Sequence, residues 1–166
     1  MKKIRFLIKL NEEGKLQITE PSEEISESYI KKSESHLESA KLLLNSQKLE
    51  ESVSMAYYGM YHCLLALLFK CGIKCENHSA SILILEELFR KIELAKDISF
   101  GKKERIDKQY YTDFKLTKQD CEDMIKKAEN FIIEIKKIIK HLSQAGSIAL
   151  REELKNSLIF DKSTEK

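Results

Sequence analysis

Ser52–Phe69 reads SVSMAYYGMYHCLLALLF, and its reading decides the fold. It carries no charged residue, yet it holds Tyr57, Tyr58, Tyr61 and His62 in one short run. Val53, Ala56, Tyr57, Met60, Leu64, Leu67 and Leu68 recur at helical spacing, and Tyr58, Tyr61 and Leu65 carry the same face further round. A helix apolar over most of its circumference belongs at the centre of a bundle or in a subunit interface. This helix is expected from about Glu50 to Gly72, with Gly72 as its C′ residue.

The flanking segments read as its cover. Pro21 marks a boundary, and Ser22-Glu23-Glu24 has the form of an N-cap followed by first-turn acids. A helix then runs to about Ser46, with Ile30, Leu37, Ala40, Leu43 and Leu44 on one face. Beyond a loop over 71–77, a further helix is expected from about Ser79 to Lys91, with Ile82, Leu85, Leu88 and Phe89 inward. Residues 94–101 are poorly patterned, and a short helix is expected over Lys102–Phe114. Thr117 and Asp120 form a capping-box pair ahead of a long stripe from Cys121 to Leu142, ended by Gly146. The fold class is all-α, an antiparallel bundle of four to five helices over 22–146.

Two appendages flank the bundle. Over residues 3–20, Ile4, Phe6 and Ile8 alternate with Arg5, Leu7 and Lys9. Asn11–Gly14 supplies turn chemistry, and Leu16 and Ile18 alternate again, so 1–21 is expected to be a β-hairpin. Residues 147–160 form an amphipathic C-terminal segment ahead of a polar tail that ends at 166.

Composition narrows the class without naming a function. The chain has 166 residues, 42% hydrophobic and 34% charged, and a net charge of +2, which suits one ordered domain and neither demands nor excludes nucleic acid. The apolar run Cys63–Phe69 is too short to span a bilayer, and the N-terminus lacks a secretion pattern. The expected location is the cytoplasm, with no membrane partner. In that compartment Cys63, Cys71, Cys75 and Cys121 are expected as packed free thiols. The spacing Cys71-x3-Cys75-x2-His78 supplies only three close ligands, so no metal and no cofactor is expected.

Ala56-Tyr57-Tyr58-Gly59-Met60-Tyr61-His62 resembles the HEPN superfamily of helical nucleotide-binding domains, and within it a small prokaryotic toxin-like branch with an A-Y-Y-x-M-[FY]-H pattern. Ser35–Leu44, Gly72-Ile73, Asn77-His78-Ser79, Arg105–Tyr110 and Ala128–Phe131 fall in that branch's order, so the resemblance covers about Ile25 to Leu142. It implies a bundle that forms a homodimer, commonly a toxin paired with a minimal nucleotidyltransferase antitoxin. It further implies a metal-independent ribonuclease whose arginine, followed four to six residues later by histidine, lies at the dimer cleft. Histidine moves protons near neutral pH, and arginine holds phosphate bidentately.

The chain departs from that signature. After Arg105 come Tyr110 and Tyr111, and no histidine occurs from Glu104 to Lys140. A phenol with a pKa near ~10 is a poor general base. Three readings stay open: Arg105 and Tyr110 bind RNA or a nucleotide without cutting; His78 or His62 supplies the proton transfer from elsewhere; or Tyr110 or Tyr111 is a target for modification by the partner. The candidate catalytic pair is Arg105 and His78. Tyr110, Tyr58, Tyr61, His62 and Lys102 join Arg105 as candidate ligand-binding residues. Whether the chain is an enzyme stays open: one function is a toxin-like RNA- or nucleotide-binding protein, the alternative a non-catalytic adaptor.

Overall fold

The computed structural model describes residues 2–110 and 116–160, with the side chains of 107–110 and 160 left aside. The elements in chain order are α1 (Lys2–Glu12), β1 (Leu16–Ile18), α2 (Glu23–Asn45), α3 (Leu49–Lys70), β2 (Ile73–Cys75), α4 (His78–Glu87), α5 (Ile92–Tyr110), α6 (Lys118–His141) and α7 (Gln144–Phe160). The architecture is an all-α bundle carrying one small two-stranded antiparallel sheet.

The run quoted above is the axis of this bundle. α3 packs against α2, α4, α5 and α6, and Ala56, Tyr57, Met60, Leu64, Leu67 and Leu68 are wholly buried. By length and composition α3 could cross a bilayer, but 72% of its most apolar window lies inside the bundle. Each buried leucine there contributes about 1.5–3 kcal/mol. α2 and α3 are joined by a tight turn, so they lie side by side. Two buried hydroxyls tie them: Ser33 Oγ donates to the Gly59 carbonyl at 2.6 Å and Ser52 Oγ to the Ala40 carbonyl at 2.8 Å.

The N-terminal hairpin expected over 3–20 is corrected. Residues 2–12 are helical, because Ile4, Leu7 and Ile8 share a helical face with Leu10 close by, and this face is the one that packs inward. With Ile4, Phe6, Leu7, Ile8 and Leu10 all apolar, alternation and helical spacing fit the same letters. The turn residues are real but close a helix. Gly14 takes φ 71° at C′, the Gly14 N–H donates to the Asn11 carbonyl and the Lys15 N–H to the Leu10 carbonyl, a Schellman end. β1 pairs with β2 instead, Leu16 opposite Cys75 and Ile18 opposite Ile73. Gly72 makes this pairing fit: at φ 69° a Cβ would lie 2.4 Å from the Thr19 carbonyl oxygen, whose own N–H donates to the Gly72 carbonyl at 2.8 Å.

Two helix boundaries are also corrected. The poorly patterned 94–101 and the short helix after it are one continuous α5, because Ala95, Ile98 and Gly101 form its inward face. The part of the expected helix over 111–114 lies outside the described residues. α6 carries the expected capping box, with the Asp120 N–H donating to Thr117 Oγ1 at 3.1 Å and the Thr117 N–H to Asp120 Oδ2 at 2.9 Å. It ends at His141, and Gly146 sits in the first turn of α7.

The two segments outside the family-like core meet each other. α1 packs on α7, burying Leu7, Leu10, Leu154 and Leu158. Ser147 Oγ donates to the Lys70 carbonyl at 2.5 Å, and Arg151 Nη1 donates to the Thr19 carbonyl at 3.1 Å and pairs with Glu20 at 2.9 Å.

Candidate functional site

Tyrosines one residue apart on a helix point about 100° apart, and α3 uses both directions. Tyr57 and Tyr61, one turn apart, stack with centroids 6.3 Å apart and face the start of α4. Tyr58 and His62 form the next face, 6.1 Å apart, turned toward α2. Their neighbours there are His36, 4.7 Å from His62, and Tyr29, 5.8 Å from His62 and 5.3 Å from Phe69.

Arg105 joins the two faces. Its guanidinium carbon lies 5.3 Å from the centroid of Tyr57 and 5.3 Å from that of Tyr58, and Nη1 donates to Tyr58 Oη at 2.7 Å. Nε of Arg105 is buried without a partner, and no carboxylate among the described residues pairs with the side chain. α5 can bring Arg105 this close because Gly101, one turn earlier, lies against α3 and α6. A Cβ at that position would sit 2.6 Å from Cε of Met124 and 3.4 Å from Tyr57.

His78 is the third component. Asn77 caps α4, its Oδ1 accepting from the Ala80 N–H at 3.0 Å, and this sets His78 at the first helical position. The imidazole lies flat on Tyr61, with centroids 3.7 Å apart and planes 11° apart. Its Nδ1 is 2.6 Å from Tyr57 Oη. Burial pushes the Tyr57 phenol up, so it keeps its proton and is able to donate to Nδ1, the arrangement in which the imidazole proton sits on Nε2. Burial, then the charges of Arg105 and Lys102, push His78 down to about 4. Burial, then Lys32 and His36, bring His62 down to about 4 as well. Both rings are neutral at pH 7.

The structure therefore gathers Arg105, Tyr58, His78 and Lys102 on one side of α3 and α4. Lys102 Nζ donates to Ser79 Oγ, and burial, then Arg105, hold its pKa below the usual lysine value. Tyr61 is 6% exposed, so it supports His78 from inside rather than facing a ligand. His62 belongs to the adjoining face with His36 and Tyr29. Of Tyr110 only the backbone, at the end of α5, is described, and Tyr111 lies outside the described residues. All four cysteines are free and buried. Burial holds Cys63 up at about 12.

Sequence reasoning passed over Tyr57 as a polar partner, and it passed over His36 and Tyr29. A signal for the last two was present: Tyr29 and His36 stand two turns apart on α2, as Tyr58 and His62 stand one turn apart on α3. For Tyr57 there was none, since its partner His78 is distant in the chain.

A family model for the HEPN domain matches residues 26–139, a span that holds every site residue named above and leaves out α1, β1 and α7. A Thermotoga maritima protein named "UPF0332 protein" is 29% identical over 128 residues, covering 74% of this chain and 97% of its own. The Pyrococcus horikoshii "UPF0332 protein PH1297" is 48% identical over 56 residues, 34% of this chain and 39% of its own. The Methanocaldococcus jannaschii "Putative toxin MJ0142" is 29% identical over 118 residues, 68% of this chain and 80% of its own. With its bundle, its tyrosine-rich central helix and a match across most of its length, the chain belongs to the HEPN domain family.

Proposed function

We propose that this chain is the toxin-like component of a toxin–antitoxin pair and that it binds RNA or nucleotides at the Arg105 site. The observation that carries the reading is Arg105 itself. It is a half-buried cation held by two tyrosines and a hydroxyl, with no carboxylate partner among the described residues. A guanidinium fixed in this way is ready to hold a phosphate through its remaining donors. The toxin name of the Methanocaldococcus jannaschii relative supports the same reading.

In this reading two copies of the chain face each other across a cleft, in the cytoplasm, with a minimal nucleotidyltransferase as antitoxin. Tyr58 holds Arg105, and His36 and His62, half-exposed like it, lie against the Tyr58 ring; together they supply a wall for that cleft. Tyr110 and Tyr111 are the candidate targets for modification by the partner. If RNA is cut, Arg105 stabilises the charge on the phosphate and neutral His78 takes up the proton.

A second reading, binding without turnover, is favoured by the state of His78. Its Nδ1 is engaged by Tyr57 and its face is covered by Tyr61, and with the Tyr57 hydroxyl donating to Nδ1 the ring has no free basic nitrogen. Incubation of purified protein with tRNA in the absence of metal separates the two. Cleavage that disappears in Arg105→Ala and His78→Gln supports the ribonuclease. Tight binding of intact tRNA supports the adaptor. Neither binding nor cleavage removes the reading of the Arg105 site.

A further inference from the structure

Among the described residues the half-buried cations divide into two sets. Lys70, Lys74, Lys127 and Arg151 each meet a carboxylate, on Glu23, Glu76, Asp97 and Glu20 respectively. Lys102 and Arg105 meet hydroxyls instead, those of Ser79 and Tyr58. No carboxylate among the described residues pairs with either.

Lys102 and Arg105 stand one turn apart on α5, with Cβ atoms about 5–6 Å apart. Two like charges so placed repel, and partial burial adds to the cost. An entering anion relieves both effects. Lys102 also lines an open groove of about 390 Å³ with Ser79, Ile82, Ser99, Lys103 and Ile106, a size that suits a small ligand or part of a larger one. One wall is polar and cationic, and Ile82 and Ile106 supply apolar surface for a sugar or base.

We propose that Lys102, Ser79 and this groove form a second phosphate subsite beside Arg105, so that the site selects ligands with two linked phosphates. The inference rests on the reading of Arg105 as a phosphate-binding residue. The forked guanidinium takes one phosphate and the ammonium, a point charge, takes its neighbour. Two ligand sources share this chemistry: adjacent phosphodiesters of an RNA strand, and the diphosphate of a free nucleotide.

The test is a set of binding titrations on the full chain with AMP, ADP and a short single-stranded RNA bearing 2′-O-methyl sugars, which resists cleavage. In the wild type, ADP or RNA should bind more tightly than AMP. Lys102→Gln should weaken the two-phosphate ligand about tenfold, leave AMP unchanged and, for RNA, lower the salt slope by about 0.7. Lys102→Arg should retain most of the binding, and Lys140→Gln, on exposed α6 surface, should change nothing. Loss confined to ADP assigns the site to free nucleotides, and loss confined to RNA assigns it to the strand; either upholds the subsite. Unchanged ADP and RNA affinity in Lys102→Gln, while Arg105→Ala abolishes binding, overturns the subsite and leaves the Arg105 reading standing. No binding of any probe to the wild type overturns both.

Discussion

Tyr58 Oη accepts a 2.7 Å hydrogen bond from Nη1 of Arg105, across 47 residues of sequence. That bond fixes the guanidinium in one orientation, and the rings of Tyr57 and Tyr58 lie against it, each with its centroid 5.3 Å from the guanidinium carbon. Tyr58→Phe keeps the ring and removes the acceptor. Hydrogen bonds to charged groups contribute about 1.5–3 kcal/mol, so RNA affinity should fall about tenfold in fluorescence anisotropy. The same loss should lower the melting temperature by about 3–12 °C. Unchanged affinity would show that the hydroxyl does not orient Arg105 for a ligand.

Acid should loosen the protein through its half-buried histidines. His62 and His78 are each held at about 4 in the fold, against about 6.5 in the unfolded chain. As pH falls the unfolded chain takes up these protons first, so stability is full above about 6.5 and is lost between about 6.5 and 4. Both rings are partly exposed, and with solvent screening the loss is roughly 1–2 kcal/mol. Thermal melts across this window should show it, and the double variant His62→Gln, His78→Gln should flatten the slope.

The Tyr57–His78 bond gives a separate spectroscopic prediction. A hydrogen bond donated to Nδ1 favours the neutral ring. In Tyr57→Phe the His78 pKa should therefore rise from about 4, followed by NMR of the imidazole nitrogens. The wild type should show the proton on Nε2. A pKa that stays in place in Tyr57→Phe would mean that burial and the charges of Arg105 and Lys102 set it without the hydrogen bond.

Gly72→Ala tests how the small sheet is joined to the bundle. The added Cβ would meet backbone on two sides, 2.4 Å from the Thr19 carbonyl oxygen and 2.9 Å from the Pro21 nitrogen. Neither contact can relax by turning a side chain, and φ is positive. The cost should be at least about 2 kcal/mol, read as a lower denaturant midpoint. By contrast Gly101→Ala meets first the mobile end of Met124 and gains helix propensity of about 1 kcal/mol. Its stability should stay close to wild type.

What could be read in advance follows the range of the interactions involved. Ser52–Phe69 announced a central helix because no surface helix can hide so little charge. The capping box at Thr117 and Asp120 is a local pattern and appears where the letters place it. α1 was misread because its apolar residues satisfy two periodicities, and the choice between them was made by α7, whose Leu154 and Leu158 join the same core. α5 looked unpatterned because one of its inward residues is Gly101, chosen for absence of bulk rather than for hydrophobicity. Arg105 could be singled out as a residue, but its clasp by Tyr57 and Tyr58, and the tie from Tyr57 to His78, depend on three helices meeting. That no carboxylate among the described residues pairs with Lys102 or Arg105 is likewise a property of the assembled surface, in a chain with nearly balanced charge.

Whether Arg105 is a phosphate-binding residue is read most directly from the affinity of the 2′-O-methyl RNA for wild type and Arg105→Ala, with thermal melts of both. Arg105→Ala should bind at least about tenfold more weakly while its melt confirms a folded bundle. Equal affinity in the two folded proteins would contradict the account.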